Sequence, residues 1–92
     1  MATQVIKRDG TKEPFDSGKI RRAIEGSARD AGLTTERINE VVNQVSGAVL
    51  QFAASKEEIT TTELLEKILD ELNKIEPKAA EAWRKYEQEK SR

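Results

Sequence analysis

Ile38, Val41, Val42, Val45, Val49 and Phe52 recur at intervals of three and four residues, the spacing that gathers side chains on one face of an α-helix. Such a stripe is rich in β-branched residues, which weaken intrinsic helix propensity, so the segment holds together only by burying that face. The flanking segments supply partners. Ile20, Ala23, Ile24, Ala28 and Ala31 repeat the pattern upstream, Leu64, Leu65, Ile68, Leu69, Leu72 and Ile75 repeat it downstream, and Ala80, Trp83 and Tyr86 follow Pro77. Start and stop signals bound these stripes. Asp16 or Ser17 is a good N-cap and Gly32 a stop, Thr60-Thr61-Thr62-Glu63 reads as a capping box with Thr60 as the cap, and Pro77 suits a first helical position. Helices are therefore expected over about 17–31, 35–54, 61–75 and 77–89, with the last few residues fraying.

Ahead of the first helix, Gln4 to Arg8 and Thr11 to Phe15 are short β-compatible runs around Asp9-Gly10, a strong hairpin signal. A two-residue loop pairs Ile6 with Glu13. A three-residue loop with Gly10 left-handed pairs Val5 with Glu13 and Lys7 with Thr11, and places Val5, Lys7, Thr11, Glu13 and Phe15 on one face. The second register is preferred, because it mixes apolar wall and charge as a ligand face does. The stretch Lys56-Glu57-Glu58-Ile59 is too charged for a central strand and leaves room for a short third strand near Glu57–Ile59, at an edge. Two strands bury too little to stand alone. The expected fold is α+β, mainly α: one domain over residues 1–92, a small bundle of about four helices capped by a hairpin over about 4–15.

Composition narrows the chemistry. The chain has no cysteine and no histidine, so zinc-finger ligation, disulfides, thiol nucleophiles and histidine acid-base catalysis are excluded. No apolar run approaches the roughly 20 residues that span a bilayer, and no signal-peptide pattern opens the chain, which sets a cytoplasmic expectation. The net charge of −1 argues against a dedicated nucleic-acid binder. Charge is nevertheless uneven. Residues 1–22 carry six cations against three anions, a local +3 that leaves −4 for the remainder. A local basic site on a mildly acidic domain suits a small anion better than a long polyanion.

The junction between hairpin and first helix is where such a site belongs. Lys7 and Arg8 end a strand and Lys19 lies one turn into the helix, so the three can converge on a polyphosphate beside a helix N-terminus. There is no Gly-x-x-x-x-Gly-Lys-Ser/Thr loop and no Gly-x-Gly-x-x-Gly turn, so side chains and not a glycine cradle would hold a nucleotide. Glu13 and Asp16 sit among cations, which argues against a proton donor and for acceptors of hydrogen bonds from a base or ribose. No nucleophile has an activating base, and the expectation is a non-enzyme. The same residues also have plain structural readings. Lys7, Arg8 and Lys19 suit a solvated surface, Asp16 an N-cap, Glu13 a cross-strand partner for Lys7, Trp83 and Tyr86 a bundle core or helix edge, and Arg21-Arg22 a solvated face.

The opening Val-x-Lys-Arg-Asp-Gly followed by Phe-Asp-x-x-Lys-Ile, the continuation Arg21-Arg22-Ala23-Ile24, the turn Glu58-Ile59-Thr60-Thr61-Thr62-Glu63-Leu64 and the late Ala82-Trp83-Arg84-Lys85-Tyr86 together resemble the ATP-cone. This is the nucleotide-sensing regulatory module of ribonucleotide reductases and of their transcriptional repressor. The resemblance implies that Lys7, Arg8 and Lys19 face the triphosphate, with a late basic residue such as Lys85. It also implies that Val5 and Ile20 line the adenine pocket, that Glu13 and Asp16 accept hydrogen bonds from the base, and that Thr61 and Leu64 close the sugar side. Leu65 stands where some members carry a polar residue that helps read the sugar. The implied ligand is ATP or dATP, carrying Mg2+ with it. The implied role is an allosteric sensor that controls a ribonucleotide reductase or similar partner through changes in association, by self-association or a protein partner; composition and charge, in turn, offer no membrane partner and rank nucleic-acid binding third. An interaction module that keeps the fold without binding nucleotide remains the alternative.

Overall fold

In a computed structural model of the chain, which describes residues 3–90, β1 (Gln4–Ile6) and β2 (Lys12–Pro14) form the hairpin and lead into α1 (Ser17–Asp30). Then come α2 (Thr35–Ala54), β3 (Ile59–Thr60), α3 (Thr61–Ile75) and α4 (Pro77–Lys90). α4 stays helical to Lys90, and the rest of the fraying expected of the last few residues lies at positions 91–92, outside the described residues.

The hairpin takes the three-residue loop. Val5 pairs with Glu13, the Lys7 amide donates to the Thr11 carbonyl at 2.8 Å and the Gly10 amide to the Lys7 carbonyl at 2.9 Å. Gly10 has φ +88°, the left-handed position that closes this loop and that glycine occupies without a Cβ clash. Asp9 locks the turn, its Oδ1 accepting from the Thr11 amide at 3.0 Å and the Thr11 hydroxyl at 2.6 Å. Those bonds to Thr11 hold the Asp9 carboxyl below the usual carboxylate range. β3 is the short edge strand that the sequence left room for, shifted to Ile59–Thr60. It lies parallel to β1, Val5 opposite Ile59, so the sheet order is β2-β1-β3 with β1 in the middle.

Each helix begins and ends where local chemistry dictates. Asp16 caps α1, its Oδ1 accepting from the amides of Gly18 at 2.9 Å and Lys19 at 3.2 Å. The helix ends in a Schellman arrangement in which the Leu33 amide reaches the Ala28 carbonyl, the Gly32 amide reaches Arg29, and Gly32 sits at φ +80°. Thr34 caps α2 and the Thr60/Glu63 capping box starts α3. Pro77 opens α4, and the residue before it, Glu76, is turned out of helical geometry at φ −151° and ψ 80°, as a residue preceding proline is.

The helices close into a ring: α1 packs on α2 and α4, and α3 packs on α2 and α4. The buried core runs through Ile24, Ala28, Val41, Val45, Val49, Ile68, Leu72, Ala80 and Trp83, with Val5 and Ile59 joining from the sheet. The buried faces depart in places from the stripes read in the sequence. Ser27 and not Ala23 is buried on α1, and Ala53 is buried beside a half-buried Phe52 on α2. The Phe52 ring instead carries the ammonium groups of Lys56 and Lys67 over its face, 5.1 and 5.6 Å from its centre. Tyr86, at 55% exposure, lies outside the core that Trp83 joins.

Candidate functional site

β2 runs into α1 through Phe15-Asp16, and β3 runs into α3 without a linker. The N-terminal turns of α1 and α3 therefore meet the same face of the sheet. Between them lies a cleft of about 90 Å³ lined by Val5, Glu13, Pro14, Phe15, Asp16, Lys19, Ile20, Thr61 and Leu64. Seven of these residues, Val5, Glu13, Asp16, Lys19, Ile20, Thr61 and Leu64, are ones that the sequence singled out, brought together from positions more than fifty residues apart. Pro14 and Phe15 are added to them. Phe15 was on the expected face of the hairpin, and alternation along β2 was the signal that would have included it.

The walls divide by chemistry. Val5, Phe15, Ile20 and Leu64 are apolar, while Glu13 and Asp16 bring carboxylates and Lys19 an ammonium. Asp16 holds the start of α1 through Oδ1, so its structural reading as an N-cap is realised in the same place. Glu13 is likewise the partner of Lys7, whose Nζ lies 3.8 Å from Glu13 Oε2 with both side chains substantially exposed. Lys7 thus stands at the rim through Glu13. Lys19 is exposed and takes no side-chain hydrogen bond or ion pair among the described residues. The amide-rich N-terminal ends of two helices and a free ammonium suit a negatively charged group at the mouth of this cleft. Its volume admits part of a base and sugar, leaving any phosphates outside.

The α3 wall is fixed from behind. The Thr61 hydroxyl donates to the Ile6 carbonyl at 3.4 Å, and Thr60 and Glu63 exchange the two capping-box bonds, each at 3.1 Å. Glu63 also pairs with the Lys56 ammonium. The Lys56 hydrogen bond first, then the Thr60 amide and hydroxyl, hold the Glu63 carboxyl below the usual carboxylate range. A carboxyl whose folded value is depressed contributes stability that is present above its unfolded value and lost as pH falls through the folded one. Glu63→Gln keeps the capping geometry but not the charge. It is expected to flatten the acid limb of the melting temperature followed by circular dichroism below about pH 5. An acid limb identical to that of the parent chain would contradict this role.

Lys85 and Arg8 lie elsewhere. Lys85 is exposed on α4 and lines neither the cleft nor the larger groove beside it. That groove, about 380 Å³, runs between α3 and α4, with Leu65, Leu69 and Trp83 as its floor and Arg8, Glu66, Arg84 and Glu87 around it. Arg8 therefore parts from Lys19, and the α4 cation that lines the same groove is Arg84. Leu65 faces this groove and not the small cleft.

Two further arginines have structural duties. Arg21, read in the sequence as solvated face, donates to Ser46 Oγ at 2.9 Å and Asn43 Oδ1 at 2.8 Å, tying α1 to α2. Arg37 donates through Nε to Glu76 at 3.0 Å and through Nη2 to the Ile75 carbonyl at 2.9 Å, closing the C-terminal end of α3. Among the described residues no group of three or more acidic side chains is placed to hold a metal ion, and no helix is long and apolar enough to cross a membrane.

A family model described as the ATP cone domain matches residues 3–92. Similar curated proteins include the transcriptional repressor NrdR of Trichodesmium erythraeum, 36% identical over 87 residues that cover 90% of this chain and 49% of the relative. The transcriptional repressor NrdR of Syntrophus aciditrophicus is 34% identical over 76 residues, 83% of this chain and 46% of the relative. The chain spans about half the length of the curated relatives it matches.

Proposed function

Since the chain belongs to the ATP-cone domain family, we propose that it is a regulatory domain that binds ATP or dATP in the cleft between the sheet and the first turns of α1 and α3. The adenine lies against Val5, Ile20 and Phe15, its exocyclic amine donates to Glu13 and Asp16, and Thr61 and Leu64 face the sugar. The phosphates leave the cleft past Lys19 and Lys7, carrying Mg2+ with them. Binding is passed on as a change in how the helical surface associates, which requires the ligand to prefer one assembly state over another. The observation that supports this reading most is the convergence of those seven residues on one cleft flanked by two helix N-termini.

The relatives are named as transcriptional repressors, and the output proposed for a longer protein carrying this domain is accordingly control of gene expression, in place of direct contact with a ribonucleotide reductase. The charge argument against a nucleic-acid partner bears on these 92 residues alone and not on such a protein.

Calorimetric titration tests the binding step. ATP and dATP are both expected to release heat, because the Thr61 hydroxyl is already directed at the Ile6 carbonyl. GTP presents a carbonyl where adenine presents an amine, facing the carboxylates of Glu13 and Asp16, and is expected to bind at least about tenfold more weakly. Equal affinity for ATP and GTP, or no heat from ATP at millimolar concentration, would contradict the reading.

A further inference from the structure

The charges lining the small cleft do not suffice for a polyphosphate. Lys19 and the rim residue Lys7 are matched by the carboxylates of Glu13 and Asp16, with Lys7 already beside Glu13 at 3.8 Å. The next cation along the chain is Arg8. It is exposed, it has no hydrogen bond or ion pair among the described residues, and its side chain lies over the α3/α4 groove. The backbone beside it is held by the Asp9 turn, so any change in what Arg8 covers falls to its side chain, which has no partner among the described residues to release.

We propose that Arg8 is shared between the two clefts: it covers the α3/α4 groove when the nucleotide cleft is empty and swings to the phosphates when nucleotide binds. This rests on the nucleotide reading above and adds the route by which occupancy reaches the helical surface. The first turn of α3 is the common wall, Thr61 and Leu64 facing the small cleft while Leu65 faces the groove. With Arg8 in place the groove has two cations, Arg8 and Arg84, against Glu66 and Glu87; its departure leaves a net negative groove and uncovers the Leu65 and Trp83 floor. The nucleotide thereby changes the charge and apolar exposure of a surface it does not touch.

Trp83 is the chain's single tryptophan, lines the groove and is absent from the small cleft, and indole emission responds to charge and water beside the ring. The full chain and Arg8→Ala are titrated with ATP by calorimetry and by Trp83 fluorescence in parallel. The expected result is a saturable emission shift in the parent chain that follows the heat of binding. Arg8→Ala, with affinity lowered about tenfold, is expected to show no shift at saturating ATP. Binding heat without an emission shift in the parent, or a shift of equal size retained in Arg8→Ala, overturns the shared-arginine proposal and leaves the nucleotide reading standing. No binding heat in the parent overturns both.

Discussion

Lys19→Ala is expected to weaken ATP binding by about 10- to 100-fold, the effect of losing a hydrogen bond to a charged group. The residue is chosen because its ammonium has no partner among the described residues and lies in the cleft lining. Its structural duty is performed by its backbone amide, which donates to Asp16 at 3.2 Å and survives the substitution. The melting temperature should therefore stay close to that of the parent, since replacing an exposed side chain that takes no part in the cap or the core changes stability by about 0.5 kcal/mol or less. Calorimetry and a thermal melt on the same sample separate the two effects. Unchanged affinity would remove Lys19 from the site, and a large drop in melting temperature would assign it a structural role.

Ile59→Ala is expected to have the opposite profile, with a large loss of stability. Ile59 is fully buried, although its strand is two residues long and follows the exposed Glu57 and Glu58. It pairs with Val5 and so fastens the central strand, and with it the hairpin, to the helices. Truncating a buried isoleucine costs about 2–5 kcal/mol, a large fraction of the roughly 5–15 kcal/mol that holds a small domain folded. The melting temperature should fall by roughly 10–30 °C. ATP at about a hundred times its dissociation constant should return up to about 2.7 kcal/mol of that, because ligand that binds only the folded state stabilises it by mass action. A loss below about 1 kcal/mol by chemical denaturation would show that the sheet is dispensable to the core.

What could be read in advance follows from how local each signal is. Asp16, Gly32, the Thr60/Glu63 pair and Pro77 act within a few residues, and the helix limits they imply agree with those observed to within a residue. Asp9-Gly10 located the turn but left two registers open, and the observed one was preferred only for the mixed apolar and charged face it gives the hairpin. The place of β3 beside β1 was not legible, because its pairing joins Val5 to Ile59 across two helices. The arginine networks were hidden likewise: Arg21 with Ser46, and Arg37 with Glu76, meet only after the helices have packed. Lys7 and Arg8 were read together as the end of a strand. β1 ends at Ile6 and Arg8 lies inside the turn that the Gly10 amide closes on the Lys7 carbonyl, so the two adjacent cations leave the hairpin from different backbone settings.

Nucleotide binding at the cleft is tested by an ATP titration followed residue by residue in a 1H–15N correlation spectrum of the chain. Saturable shifts are expected for the amides of Val5, Glu13, Lys19, Ile20, Thr61 and Leu64, which surround the cleft. The far ends of α1 and α2, around Arg29 and Thr35, should stay unmoved. Shifts centred away from the cleft, or none at millimolar ATP, would contradict binding there.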